Sequence, residues 1–211
     1  YRIQLKTLGL EDSARAVFAK DGSDGRRSAL TIKLSLLNEA ITESLVQPLL
    51  QAWHQVLSGD DALGVIRSSA LVEDRFDSSF AGQFESFLGL EDESEFLIAV
   101  RSCWCALWST RALRYMATHN ADPADTAMAL IIQPLVHALA SGGGLSRTSE
   151  GEMVLSATWG LGSAIAQGEV VPDRYVLGRN LEIREIVAGR KTHSVGCAHG
   201  KEIIKHDVAE R

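Results

Sequence analysis

Arg67-Ser68-Ser69 sets a permanent cation beside two hydroxyls at the end of a short apolar run, residues 63–66. A guanidinium stays charged at any working pH and can fork across two phosphate oxygens. An acidic turn, Glu73-Asp74-Arg75, follows, and then a small-residue loop, 77–82, ending in Gly82. A glycine has no Cβ, so backbone N–H groups beside it can approach a ligand closely. Together these groups suit an anionic ligand such as a nucleotide phosphate. The same residues would also make a plain strand, a salt-bridged or solvated turn and a surface loop. A second small-residue run, Ser141-Gly142-Gly143-Gly144, is either a flexible turn or a phosphate-cradling loop.

The elements that must hold these groups are of both kinds. Helices are predicted over 11–20, 29–41, 42–57 and 94–119, with a polar loop at 21–27. Leu45, Leu49, Trp53 and Leu57 form one apolar stripe, and His54 beside it is a packing or surface residue. Pro48 should bend that helix or shift its start. Leu97, Val100, Trp104 and Leu107 or Trp108 make a second stripe, which assigns these tryptophans to the core. Ser109 and Thr110 offer the one candidate break. With no Gly or Pro nearby, a continuous helix is expected. Strands are predicted from 63 to an end at Arg67, and over 83–88, 126–133 and 152–159. More follow near 168–177, 179–186 and 202–204, the last two divided by a polar stretch at 189–200. In the second strand Ser86 shares a face with Phe84 and Leu88, near the Gly82 loop.

The bulk numbers exclude several classes. A chain of 211 residues, 45% hydrophobic and 23% charged, can bury a real core and is not disordered by default. A formal charge of −6 argues against a nucleic-acid partner, which normally meets a basic face. No apolar run approaches the ~20 residues that span a bilayer, and no signal-peptide pattern opens the sequence. Cys103 and Cys105 lie two apart on a predicted helix and point away from each other, and Cys197 stands alone. This usage fits a reducing, cytoplasmic setting without disulfides or a zinc site.

Three blocks carry a resemblance. They are Arg67-Ser68-Ser69-Ala70 with Glu73-Asp74 and Ser79-Phe80-Ala81-Gly82-Gln83; MALIIQPLV from Met128; and WGLGSAIAQGEVVPDRYVL from Trp159. In this order they resemble the nucleotide-binding domain of phosphoenolpyruvate synthase, pyruvate phosphate dikinase and rifampicin phosphotransferase, over residues 50–177. The resemblance implies an α+β, ATP-grasp-like fold, incomplete at both ends, with antiparallel sheets and flanking helices in two lobes that clamp ATP. The first lobe, residues 1–125, would be helical and contact phosphate. The second, residues 126–211, would carry the adenine-linker strand and be mostly β.

Carried over by position, the resemblance implies ATP contacts at Arg67, Gly82, Ser86 and Gln133, with Ser68, Ser79, Leu135 and Val136 as further candidates. Ser86 stands where relatives often carry threonine. Pro134 has no N–H, so Leu135 or Val136 would have to donate to adenine. After Ser141 relatives continue with an apolar strand and a threonine, where this chain has Leu145-Ser146-Arg147-Thr148. The glycine loop with its lysine, and the Mg²⁺ ligands, are expected outside these 211 residues. No catalytic or metal-binding residue is therefore assigned within them, and His199 lacks the pattern of a phosphorylated histidine. The implied partners are a phosphohistidine domain and an acceptor-binding domain, on the same enzyme or a partner subunit. The implied reaction cleaves ATP to AMP and phosphate and phosphorylates that histidine for transfer to an acceptor, and the fragment alone would be inactive. The alternatives are a non-catalytic nucleotide-binding or scaffold module, and a helical interaction domain whose motif matches are accidental.

Overall fold

The computed structural model describes residues 1–19, 22–57, 62–71, 84, 86–197 and 203–207, with backbone alone at 22, 23 and 203–207. The chain divides into two compact units, Tyr1–Leu135 and Val136–Arg211. Helices and antiparallel sheets form an α+β architecture.

The first unit runs α1 (Arg2–Thr7), α2 (Glu11–Ala19), α3 (Gly22–Asn38), α4 (Glu43–Val56), β1 (Gly64–Ala70), β2 (Ser86–Leu90), α5 (Glu93–Ala106), α6 (Thr110–Thr118) and β3 (Met128–Pro134). Its sheet has the order β2-β1-β3 and is antiparallel throughout. The helices pack on one sheet face. Ile32 and Leu36 of α3, Trp53 of α4, and Phe96, Val100 and Trp104 of α5 join Ile66 of β1 in one core. Trp53 stacks on Phe96, with ring centroids 4.7 Å apart.

Two helical expectations are corrected. The loop expected at 21–27 is instead the first part of α3. Gly25 is buried there and continues the inward line of Ala29, Ile32 and Leu36, so tertiary packing outweighs the poor helix propensity of glycine. The continuous helix expected over 94–119 is two helices. Ser109 Oγ accepts from the Ala112 N–H at 3.2 Å and starts α6 afresh. Leu107 and Trp108, buried at 0% and 2% exposure, occupy the corner. At the head of α5, Asp92 Oδ1 accepts from the Glu95 N–H at 2.8 Å and Glu95 Oε2 from the Glu91 N–H at 3.1 Å, a reciprocal cap.

Helix α4 starts at Glu43 and runs through Pro48, so the proline does not delay its start. Thr42 stands at the N-cap position but its side chain makes no capping bond. Its N–H and hydroxyl both donate to Gln4 Oε1, at 2.7 and 2.8 Å, while Gln4 Nε2 donates to the Ala40 carbonyl at 2.9 Å. Gln4 is fully buried, and its amide ties α1 to the α3–α4 connection.

The second unit holds β4 (Ala140–Leu145), β5 (Met153–Trp159), β6 (Asp173–Leu177) and β7 (Ile183–Val187) in that spatial order, with α7 (Ser163–Ala166). A separate pair, β8 (His193–Cys197) with β9 (Ile203–Asp207), completes it. Strand β8 falls in the stretch expected to be a polar divider. Its one buried apolar side chain, Val195, gives too little pattern to mark a strand. Trp159 ends β5, Gly160 bridges to Val195, and Gly162 stands at the N-cap of α7. Gly160 has φ +69°, and a Cβ there would sit 2.2 Å from the Val195 carbonyl oxygen, so only glycine fits.

The core of this unit is small, centred on Ala164, Val170 and Val195, and a polar strap supplements it. Asp173 Oδ1 accepts from the Gly189 N–H at 2.8 Å, and Asp173 Oδ2 pairs with the Lys191 ammonium. That ammonium also lies 5.4 Å from the centroid of the Trp159 ring. The Lys191 hydrogen bond, followed by the Gly189 N–H, holds the Asp173 carboxyl below its usual range, against the opposing effect of burial.

Two predictions follow from these polar anchors. Gln4→Ala leaves the Thr42 N–H and the Ala40 carbonyl unpaired and should cost about 2 kcal/mol in urea unfolding. The Asp173 carboxyl has a depressed folded pKa, so its stabilisation is present above the unfolded value of about 3.9 and is lost as pH falls through the folded value. Amide exchange at Gly189 should accelerate in acid relative to the first unit, and Asp173→Asn should remove that pH dependence.

Candidate functional site

Strand β1 is the centre of the three-stranded sheet, and its ladder to β3 is bracketed by two bonds outside the named strands. The Leu135 N–H donates to the Leu63 carbonyl at 2.7 Å, and the Leu71 N–H to the Ala127 carbonyl at 3.2 Å. With the pairs Val65↔Gln133, Arg67↔Ile131 and Ser69↔Ala129 between them, the odd residues of β1 direct their backbone groups to β3. The even ones direct theirs to β2. Arg67 and Ser86 are therefore a non-hydrogen-bonded pair, the closer kind, with Cα atoms about 4.5 Å apart.

Side chains opposite one another on paired strands share a face. Ile66, fully buried, marks the helix-covered face. Alternation then puts Val65, Arg67 and Ser69 of β1, Ser86 and Leu88 of β2, and Ala129, Ile131 and Gln133 of β3 on the other face. Three of the four principal candidates, Arg67, Ser86 and Gln133, thus stand on one open face of one sheet. Gln133 lies diagonally from Arg67 across the β1–β3 pair, at roughly 7–8 Å. All three are exposed, and the Arg67 side chain has no hydrogen-bond or ion-pair partner among the described residues. Arg67 sits mid-strand, three residues before the end of β1, rather than at the expected strand end. Strand β2 is described from Ser86 to Leu90, while residues 83 and 85 of the expected strand lie outside the described residues.

The other candidates separate. Ser68 falls on the face of Ile66 and Ala70, opposite Arg67. Ser79 and Gly82 lie outside the described residues. The Leu135 N–H is committed to Leu63, so it cannot donate to a base. Val136 is 72% exposed, and its N–H has no backbone partner among the described residues. Ser141, Gly142, Gly143 and Gly144 form neither of the two expected arrangements. They are part of β4, paired with Thr158, Ala157, Ser156 and Leu155. A Cβ at Gly142 or Gly144 would meet a β5 carbonyl oxygen at 2.3 or 2.1 Å, so the run packs as backbone against β5.

Ser69 and Ile131 are among the residues of this face that the sequence did not single out as ligand contacts. Counting by two from Arg67 along β1, and by two back from Gln133 along β3, would have found both. Among the described residues no three His, Cys, Asp or Glu side chains converge to hold a metal ion, so these residues do not by themselves fit the Mg²⁺ that the resemblance implies. No helix among them is long and apolar enough to cross a membrane.

Residues 2–211 match the family described as "Pyruvate phosphate dikinase, AMP/ATP-binding domain". The phosphoenolpyruvate synthase of Aeropyrum pernix is 39% identical over 131 residues, covering 60% of this chain and 16% of that protein. A probable phosphoenolpyruvate synthase of Methanothermobacter thermautotrophicus is 30% identical over 192 residues, 88% of this chain and 28% of the relative. The prodigiosin synthesizing transferase PigC of Serratia marcescens is 34% identical over 163 residues, 75% of this chain and 18% of the relative. The chain therefore spans less than a third of the length of these relatives.

Proposed function

The chain belongs to the pyruvate phosphate dikinase AMP/ATP-binding domain family, and on that premise we propose that it is the ATP-binding portion of a dikinase-type phosphotransferase with an ATP-grasp fold. The observation that carries this reading is the grouping of Arg67, Ser86 and Gln133, all three exposed, on the sheet face opposite the helices. Arg67 neutralises phosphate charge, and the Ser86 hydroxyl beside it donates to a phosphate oxygen. Gln133 binds the nucleoside end. Ser79 and Gly82, which lie outside the described residues, are carried over from the resemblance as further phosphate contacts.

Adenine recognition falls to backbone at the end of β3. That strand is a sheet edge, and its even residues turn their backbone groups away from β1. The Pro134 carbonyl, turned outward, accepts from the adenine amino group, and Val136 is carried over by position from the resemblance as a further adenine contact. Leu135 between them is spent on Leu63. Pro134 costs the ladder nothing, because its missing N–H would have faced the open edge.

In the full enzyme ATP is cleaved to AMP and phosphate, and the β-phosphoryl group passes to a histidine on a separate domain, which carries it to an acceptor. Fixed cations and N–H groups stabilise the charge on the transferring phosphoryl. Magnesium, when bound, would neutralise phosphate oxygens. Its ligands are assigned outside the described residues, and no step here runs through it.

Isothermal titration of the chain with ATP and with adenosine tests the two halves of the site. Arg67→Ala should weaken ATP binding at least tenfold and leave adenosine binding unchanged, since a charge-assisted bond is lost only to phosphate. Unchanged ATP affinity would remove the reading. Val136→Pro, which deletes one N–H in extended backbone, should weaken ATP and adenosine alike, by about 1–2 kcal/mol.

A further inference from the structure

We infer that Ser69 is a third phosphate-binding group of this site, and that the sheet face is polarised along β1, with anion-binding groups at the Ser69 end and apolar side chains at the Gln133 end. The inference rests on the nucleotide reading above and deepens it.

Position by position, the face has two halves. Toward Gln133 lie Val65, which is buried, and the half-buried Leu88, paired across β1 and β2, with Val65 also opposite Gln133. Toward the other end lie Arg67 with Ser86 on one side, then Ser69 opposite Ala129. Ile131, 47% exposed, borders both halves. Ser69 is two residues along the strand from Arg67, about 6.6 Å, on the same face. An arginine side chain spans that distance easily, so one phosphate group can meet both.

Ser69 also has the right freedom. Its N–H and carbonyl are turned to Ala129, which leaves the hydroxyl as its one spare polar group. The partner side chain, Ala129, is small and exposed, so nothing bulky stands beside that hydroxyl on β3. Ser68, the neighbouring hydroxyl in the motif, points to the opposite, core-side face with Ile66 and Ala70. A nucleotide lying on the open face with its base at the Pro134 end of β3 would thus run its phosphates past Arg67 toward Ser69.

The test compares Ser69→Ala, Ser68→Ala and Arg67→Ala in the full 211-residue chain, titrated with ATP and with adenosine, with thermal melting as a folding control. Ser69→Ala is expected to weaken ATP about tenfold with adenosine affinity unchanged. Ser68→Ala is expected to lower the melting temperature without a selective loss of ATP. If Arg67→Ala weakens ATP while Ser69→Ala does not, or if Ser69→Ala weakens ATP and adenosine equally, the role of Ser69 is overturned and the nucleotide site stands. If Arg67→Ala leaves ATP binding intact, the nucleotide reading fails, and this inference with it.

Discussion

The register of β1 between its two neighbours is the constraint on which both the core and the site depend. Side chains of a strand alternate, so a slip of one residue would exchange its faces entirely. Ile66 would leave a core in which it is fully buried, at a cost of roughly 2–3 kcal/mol. Arg67 would enter that core as an unpaired charge, a penalty of several kcal/mol. Both terms oppose the same slip. The hydrophobic core of the first unit thereby fixes the direction in which Arg67, Ser86 and Gln133 face, although none of the three belongs to it.

The end of β3 shows the same economy in the backbone. A proline in a central strand would remove a ladder bond. Pro134 lies on an edge strand at a position whose backbone faces away from β1, so the ladder continues past it to the Leu135 bond with Leu63. The edge therefore presents a carbonyl without a competing N–H at the same residue. An edge strand with free backbone groups is ordinarily a site for unwanted pairing. Here a proline at the edge limits that pairing and leaves an acceptor exposed.

Much of this was legible in the sequence, for identifiable reasons. The apolar stripes of α4 and α5 and the strands carrying Arg67 and Gln133 have local signatures, and the structure contains the corresponding elements. Other features depended on partners distant in sequence. Gly25 looks like a loop residue until the helix that covers it is known. Ser109 is an ordinary serine until the buried Leu107 and Trp108 require a corner before it. Four small residues from Ser141 carry no strand pattern, and β4 exists through its pairing with β5. The commitment of the Leu135 amide was equally hidden, because a hydrogen bond across 72 residues leaves no trace in spacing.

Alternation also separates the two duties of β1. Even residues of the strand, Ile66 and Ala70 among them, face the helices, while the odd residues Arg67 and Ser69 face outward. The cation is thus held by a strand whose stability is supplied from its other face and from both flanking ladders. Its position owes nothing to a hydrogen bond or ion pair of its own side chain, since none is found among the described residues. An arginine that had to secure its own place by pairing with a carboxylate would meet an anion with part of its charge already spent. One fixed instead by backbone register meets it with its hydrogen-bonding capacity intact, which is the condition an electrostatic binding site requires.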